Sequence, residues 1–249
     1  MLQMSTACSL RDGAGGAPEL GAVRLRPDLV SVKFPLHSRT VAAARYHHGD
    51  LHRALIKAGL ALVEEKGVDG FTLREVARRA GVSHNAPYHH FPDRAAMVAA
   101  IAEQSYVLLG DAMARSARRA TSPERQLRAI GLAYLRFAVS NPARFKLMNR
   151  PELRRRREVT SVEAAGTRSE EPLHRAITAG QAAGTLAGGD AQAIALAAWS
   201  MIHGLATLVV DGPLRHRVRS KREAERMANG VIDTLLAGLS TRQEVSVRR

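Results

Sequence analysis

The sequence predicts an all-α protein with a three-helix, helix-turn-helix head near its N-terminus and a helical-bundle body behind it. Three observations predict this class. From residue 50 onward, apolar residues recur at helical spacings of three and four, and no stretch alternates long enough for a sheet. Two short helix signals separated by a tight turn lie within residues 71–91. The last two predicted helices are long and carry wide apolar faces.

The composition is that of a globular protein of a reducing, cytoplasmic environment. The 249 residues are 45% hydrophobic and 24% charged, which is ordinary for a folded chain. The single cysteine, Cys8, excludes a disulfide framework and a cysteine-based zinc site. Residues 1–44 show no sustained periodicity, so we expect either a disordered leader or an upstream start-site misassignment. Residues 241–249 are expected to form a disordered tail.

The net charge of +14 is concentrated outside the predicted head. Residues 45–110 carry eight basic and seven acidic side chains, whereas residues 111–249 carry 24 basic and 13 acidic ones. The total charge therefore indicates a tendency to associate with polyanions without locating a binding site. The run Arg154-Arg155-Arg156-Arg157 is either a nucleic-acid patch or a solvated face, and the solvated face is favoured.

The first helix is predicted over residues 51–66. Asp50 is positioned to cap its first turn, and Gly67 is positioned to end it. Its predicted inner face consists of residues spaced three and four apart: Leu51, Leu55, Ala58 and Leu62.

Residues 71–91 carry a helix-turn-helix signature. Thr72 and Glu75 have the spacing of a capping box, in which the hydroxyl and the carboxylate each bind a free backbone N–H group of the first turn. Gly81 supplies the turn, and Ser83 is predicted to cap a second short helix. Two capped helices joined in this way form a helix-turn-helix, whose second helix fits the DNA major groove.

A connecting helix is predicted to begin at Asp93 and Arg94. Its predicted inner face consists of Met97, Val98, Ile101, Ser105 and Leu108.

In the body, Ser122-Pro123-Glu124 is a helix start, and Asn141-Pro142 ends that helix and begins a short one. A further helix is predicted over residues 172–184. Asp190 then caps a long helix, and a final helix follows near the C-terminus. Residues 193–210 are either a membrane span or a buried interface helix. The interface helix is favoured because Ser200, His203 and Thr207 interrupt the apolar run.

Several short motifs, in their order and spacing, resemble the head of the TetR/AcrR family of transcription regulators. The motifs are Tyr46-His47-His48-Gly49-Asp50-Leu51, Leu73-Arg74-Glu75-Val76-Ala77, Gly81-Val82-Ser83 and Ala86-Pro87-Tyr88-His89-His90-Phe91. The resemblance covers about residues 45–105. It implies a DNA-binding domain over residues 45–110, including the connecting helix, and an effector-binding and dimerisation domain over residues 111–240.

The resemblance also implies which positions contact DNA. Residues 83–86 match the start of the family's recognition helix, and Arg94 matches a position that reaches phosphate. The recognition segment lacks Arg and Lys, so Asn85 is the best candidate for reading a base, adenine in particular. The predicted DNA contacts are Thr72, Arg74, Ser83, His84, Asn85, Ala86, Tyr88, His89, His90 and Arg94.

Two structural alternatives apply to aromatic side chains of the head. Tyr88 and Phe91 could be ordinary core aromatics, which is favoured for Phe91, and the histidines of the head could form a metal site. The metal site is not favoured because the histidines lack the paired spacing of zinc ligands.

Residues 199–204, Trp-Ser-Met-Ile-His-Gly, resemble the Trp-His-Gly subclass of the family's C-terminal domains. Trp199 and His203 are one turn apart and share a face. They either line an effector pocket or form a packed Trp with a hydrogen-bonded His. The predicted pocket residues are Tyr134, Phe137, Phe145, Met148, Trp199 and His203.

The family resemblance further implies that the last two helices form a four-helix dimer interface. The predicted interface residues are Ile194, Met201, Ile202, Leu205, Leu208, Ala228, Val231 and Leu235.

Together these features predict a homodimeric transcription regulator, a repressor by family analogy, which binds a palindromic double-stranded DNA operator and is released by a small-molecule effector. No cofactor, metal or membrane partner is expected, and no enzymatic activity. Two alternatives stay open: a non-specific nucleic-acid-binding protein driven by the basic body, and a helical enzyme using His203. No Ser/His/Asp order, paired carboxylates or phosphate-binding glycine loop supports the enzyme.

Overall fold

The computed structural model describes residues 48–150, residue 153 and residues 160–239. This part of the chain is all-α, as predicted, with a short 3₁₀ helix, Ala86–His89, between the second and third α-helices. The predicted leader, the predicted tail and the run of four arginines lie outside the described residues. The described α-helices are α1 His48–Lys66, α2 Leu73–Ala80, α3 Arg94–Ala117, α4 Pro123–Ser140, α5 Pro142–Met148, α6 Thr160–Ala182, α7 Ala191–Val210 and α8 Lys221–Leu239.

The head consists of α1, α2, the 3₁₀ helix and the first turns of α3, packed around a small apolar core. Leu55, Val76, Met97 and Ile101 are completely buried there. Burial of each such side chain contributes about 1.5–3 kcal/mol to stability. Gly59 lets α1 and α3 approach closely, because a Cβ atom at this position would lie 2.8 Å from Sδ of Met97.

The start of α1 differs from the prediction. The helix begins at His48, so Asp50 lies within the first turn and does not cap it. Its carboxylate instead accepts a hydrogen bond from Arg53 at 2.5 Å, and it still opposes the positive end of the helix dipole. The predicted end is confirmed: Gly67 follows Lys66 and adopts a positive φ of 79°.

The helix α3 connects the head to the body. Its predicted start is confirmed, because Asp93 caps it by accepting a hydrogen bond from the N–H of Ala96 at 2.7 Å. The predicted inner face is right up to Ser105 and wrong at Leu108, which is 40% exposed while Leu109 is 2% exposed. The helical period carries the buried face from Ser105 to the residue four positions on. Because α3 continues to Ala117, no break occurs at residue 110.

The helix predicted over residues 172–184 is longer than expected. It is α6, and Pro172 lies inside it rather than at its start. A proline there removes one backbone hydrogen bond, which costs an exposed helix about 3 kcal/mol. Tertiary packing offsets this cost, because Pro172, Leu173 and Ile177 are buried and α6 packs along α3 and α4.

The body is a bundle in which α4 contacts α3, α6, α7 and α8. Asp190 caps α7, as predicted, by accepting a hydrogen bond from the N–H of Gln192 at 2.8 Å. By length and composition α7 could cross a membrane, with a mean hydropathy of 1.9, but it packs against α4, α6 and α8. It leaves Leu196 58% and Leu208 42% exposed, so one apolar face of this helix has no cover within the described part of the subunit.

Candidate DNA-binding head and ligand cavity

The capping box predicted at the start of α2 is present. The N–H of Glu75 donates to Oγ1 of Thr72 at 3.2 Å, and the N–H of Thr72 donates to Oε2 of Glu75 at 2.8 Å. Lys66 at the end of α1 donates to Oε1 of the same carboxylate at 2.5 Å. The hydrogen bonds that the carboxylate accepts from Lys66 first, and then from the backbone and hydroxyl of Thr72, lower the pKa of Glu75 from 4.5 to about 2. The cap therefore fixes α2 against the end of α1.

The turn after α2 also follows the prediction. Gly81 adopts φ 70° and ψ 31°, the left-handed conformation that ends a helix without a steric penalty. The N–H of Val82 donates to the carbonyl of Ala77 at 3.0 Å, which satisfies one of the last free carbonyls of α2.

The second helix of the motif is shorter than predicted. It is the 3₁₀ helix Ala86–His89, preceded by Asn85, with no side-chain cap, so the predicted cap at Ser83 is wrong. Pro87 at its first turn has no N–H, and its ring disfavours a helical conformation of the preceding residue. The segment is held from below, because Pro87 is buried and Phe91 is only 3% exposed. Phe91 is thus a core aromatic, as favoured above.

Most of the predicted DNA contacts have exposed side chains. The predicted contacts with exposed side chains are Thr72, Arg74, Ser83, His84, Asn85, Tyr88 and His89, whereas Ala86, His90 and Arg94 are half-buried. His90 belongs to a ring cluster, with its centroid 5.7 Å from that of His52 and 6.3 Å from that of Phe91. Part of its surface therefore packs within the head.

Arg94 is held by the head itself. Its Nη1 atom donates to the carbonyl of Val68 and, at 3.1 Å, to Oδ1 of Asp69. The guanidinium also lies 5.9 Å from the ring centroid of Phe71. The phosphate contact predicted for Arg94 therefore competes with intramolecular bonds.

Asp69 links the head to the body. Its second carboxylate oxygen accepts a hydrogen bond at 2.9 Å from Arg150, which follows α5. The hydrogen bonds from Arg94 and Arg150 lower the pKa of Asp69 below its usual value. Within the body, Arg144 on α5 donates to Oε1 of Gln104 and to Oγ of Ser105, each at 3.2 Å. Burial lowers the pKa of Arg144.

A cavity of about 590 Å³ lies inside the body, lined by residues of α3, α4, α6, α7 and α8 and by Met148, Asn149 and Leu153. Its volume falls in the range of about 300–1,000 Å³ that is typical of small-molecule sites. Of the six predicted pocket residues, Tyr134, Met148 and Trp199 line this cavity, whereas Phe137, Phe145 and His203 do not.

The three residues outside the cavity support its wall or pack elsewhere. The rings of Trp199 and His203 stack with centroids 4.8 Å apart, and the hydroxyl of Tyr134 lies 2.7 Å from Nδ1 of His203. Phe145 packs against the same imidazole, with centroids 5.6 Å apart. Burial raises the pKa of the Tyr134 hydroxyl above its ordinary value, so it stays protonated. His203 thus orients two lining side chains from behind.

Sequence reasoning missed the contribution of α6 to the cavity, because the predicted helix starts only at residue 172. Glu163, Gly166 and Glu170 line the cavity from the preceding turns. Their spacing of three, four and seven residues is a helical signal. Tyr106 on α3 was also missed; it lines the cavity and donates to the carbonyl of Met148 at 3.0 Å.

The predicted dimer residues fall into two groups. Ile202, Leu205 and Ala228 are buried in the subunit, at 7%, 6% and 0% exposure, so they present little surface to a partner. Ile202 lines the cavity instead, and the half-exposed Leu235 also contributes to the cavity lining. The predicted interface residues that keep exposed or half-exposed side chains are Ile194, Met201, Leu208, Val231 and Leu235.

A helix-turn-helix head joined by one helix to a bundle with an internal cavity defines a class of helical DNA-binding regulators. Two family models match this chain. Residues 55–101 match the model described as bacterial regulatory proteins, tetR family, and residues 127–235 match the tetracyclin repressor-like C-terminal domain. Together they span more than half of the chain. The chain therefore belongs to the TetR family.

Individual relatives agree with this assignment. The class A tetracycline repressor protein of Escherichia coli is 47% identical over 49 residues, which are 20% of this chain and 23% of that protein. A solved structure of a Rhodococcus protein of unknown function is 35% identical, with a TM-score of 0.70, over 79% of this chain and 99% of that one. A tetR-family regulatory protein from Rhodococcus, 21% identical, shares the fold over 76% of this chain and 97% of that one, with a TM-score of 0.62.

Proposed function

We propose that this protein is a ligand-responsive transcriptional repressor of the bacterial cytoplasm that binds a palindromic operator as a homodimer. The observation that carries the proposal is the segment of residues 83–89, in which Ser83, His84, Asn85, Tyr88 and His89 are exposed. Pro87 and the following Phe91 are buried and anchor this segment to the head. A short helix presented in this way enters the major groove, where side chains read base edges. Ser83, His84 and Asn85 supply polar groups for that purpose.

The cavity supports effector binding in the body, and the chain from Met148 to Arg150 supports a connection to the head. Met148 and Asn149 line the cavity, and the next residue, Arg150, pairs with Asp69 of the head. Asp69 also pairs with Arg94 at the start of α3. A ligand that moves this segment therefore favours one arrangement of the head over another, by the difference in its affinity for the two states.

The exposed faces of α7 and α8 support a dimer of the four-helix kind. Leu196 and Leu208 are the exposed large hydrophobic residues of α7. Gly204 and Gly230 lie within these helices. Packing inside the subunit does not require glycine at either position, because an added Cβ atom would meet nothing within 4 Å. Glycine weakens a helix by about 1 kcal/mol relative to alanine, so its presence there favours close approach of a partner helix. We place the interface on this surface rather than on the buried Ile202, Leu205 and Ala228.

We also assign the body to the Trp-His-Gly subclass. The stacked rings of Trp199 and His203, with Tyr134 bonded to the imidazole, support this assignment, since they give that motif a structural role in the cavity wall. The same role argues against an enzyme that uses His203, which does not line the cavity.

Selection of genomic DNA fragments by the full-length protein, followed by footprinting, tests the proposal. We expect a palindromic site with half-sites about one helical turn apart, bound about 10³-fold more tightly than shuffled DNA at physiological salt. Equal affinity for the selected and shuffled DNA over a salt series would support the non-specific nucleic-acid-binding protein instead.

A further inference from the structure

The chemistry of the cavity wall deepens the proposed function, on which this inference rests. The charged residues that line the cavity, among those the structure describes, are Glu163 and Glu170. No described Lys, Arg or His lines it. The protein as a whole carries a net charge of +14, so an acidic lining runs against the charge of the molecule.

Both carboxylates face the same side of α6. They are seven residues apart, which places them about 10 Å from each other along one face of a helix. Neither forms an ion pair with a described residue, whereas the adjacent Glu171 pairs with Arg175 at 3.5 Å and does not line the cavity. Glu170 is half-buried and Glu163 is exposed, so water can reach both carboxylates when no ligand is bound.

The remaining lining is apolar and aromatic. Leu109, Met113, Ile130 and Leu236 provide aliphatic surface from three helices. Trp199, together with two tyrosines of the wall, adds aromatic rings, whose faces attract cations. A cation in this cavity gains opposite charge and aromatic faces, whereas an anion meets carboxylates with no compensating base among the described lining residues.

We propose that the effector is a lipophilic cation, an apolar molecule with one positively charged centre, which lies beside Glu170 and Glu163. The apolar part packs between α3, α4 and α8, and the charged centre replaces part of the water around the carboxylates. Charge selection is then a property of α6, and the apolar wall sets the size that is accepted.

Two probes of nearly equal size and opposite charge test this directly: tetraphenylphosphonium and tetraphenylborate. The only tryptophan of the chain is Trp199, and it lines the cavity, so its fluorescence reports binding at this site. Affinity is measured by titration of the full-length protein, with calorimetry as a second readout. We expect tetraphenylphosphonium to bind at least about tenfold more tightly, although the net charge of the protein attracts the anion elsewhere.

Charge-removing variants locate the selectivity. E163Q combined with E170Q should bring the affinity ratio of the two probes close to one, because the amides keep the shape of the side chains. E171Q is the matched control on the same helix and should leave the ratio unchanged. Circular dichroism and thermal unfolding establish that each variant is folded.

Equal or tighter binding of tetraphenylborate at Trp199, or a ratio that survives the double substitution, would overturn the proposal. Operator binding is measured separately on the same samples. If the protein binds its operator but the cavity does not bind the cation, the ligand class is overturned and the proposed function stays intact. If the cavity binds the cation but the protein selects no operator, the ligand class is supported and the proposed repressor function is overturned.

Discussion

At the scale of single residues, the end of α1 and the start of α2 are joined through one carboxylate. Glu75 accepts hydrogen bonds from Lys66 and from the backbone and hydroxyl of Thr72. All three donors stabilise the charged form of the carboxylate, which is why the pKa of Glu75 falls so far. The head is therefore sensitive to protonation of this half-buried carboxylate.

The pH dependence of stability follows from the sign of that shift. Because the pKa of Glu75 falls from 4.5 to about 2, its stabilisation is complete above pH 4.5 and is lost as the pH falls through about 2. We expect the wild-type protein to lose more stability than E75Q on acidification from neutral pH to about pH 3. Urea unfolding at both pH values measures the difference, and parallel losses would contradict the role of this cap.

A second prediction at this scale concerns base readout. Asn85 is exposed in the turn before the 3₁₀ helix, and its amide can both donate to and accept from adenine. We expect N85A to lose about 1–3 kcal/mol of discrimination at particular base pairs. Binding to a set of single-base operator variants measures it. R74A, at an exposed position of α2, is the comparison and should weaken binding to all sequences alike. If N85A keeps the base preference of the wild type, Asn85 does not read a base.

At the scale of elements, α5 is the short helix that contacts both the head and the cavity. It packs against α1, α3 and α4, and its C-terminal end carries Met148 into the cavity wall. Arg150 follows directly and pairs with Asp69 in the loop after α1. Only two peptide bonds thus separate Met148, which lines the cavity, from Arg150, which contacts the head.

Loss of the ion pairs of Asp69 should make the loop after α1 more dynamic without changing ligand binding in the cavity. We expect D69N to speed hydrogen exchange of the loop over residues 67–72, because Arg94 and Arg150 both lose their anionic partner. The response of Trp199 to a cavity ligand should stay unchanged. D111N, an exposed acidic position on α3, is the control and should leave the exchange of this loop as in the wild type; equal exchange in D69N and D111N would refute the link.

At the scale of the whole molecule, α7 has the length and hydropathy of a membrane span although it lies in a helical bundle. One side of it packs on α4, α6 and α8, and the other side carries exposed Leu196 and Leu208. A second subunit would cover that exposed face and set the separation of two heads for a palindromic site.

The proposed interface has a matched control within the same subunit. Leu208 on α7 is 42% exposed and Leu108 on α3 is 40% exposed. We expect L208E to shift the dimer to monomer by about tenfold or more in dissociation constant, because a charge would be buried at the interface, whereas L108E should remain dimeric. Sedimentation over a concentration series measures both. A dimer that dissociates in L108E and persists in L208E would move the interface to α3.

The sequence by itself determined the all-α class, the capping box at Thr72, the left-handed turn at Gly81 and the caps at Asp93 and Asp190. These features rest on interactions within a few residues of each other, which is the range over which a sequence pattern is directly informative. The motifs of the head are equally local, and by themselves they indicate the TetR family.

Only the tertiary structure decided the course of α6 through Pro172, the burial of Ile202, Leu205 and Ala228, and the acidic lining of the cavity. Each depends on which helix packs against which, and such contacts join residues far apart in the chain. The free energy of that packing outweighs a local cost such as the missing hydrogen bond of a proline. Local signals thus gave the elements of the head, whereas long-range packing created the cavity and chose the faces left for a partner.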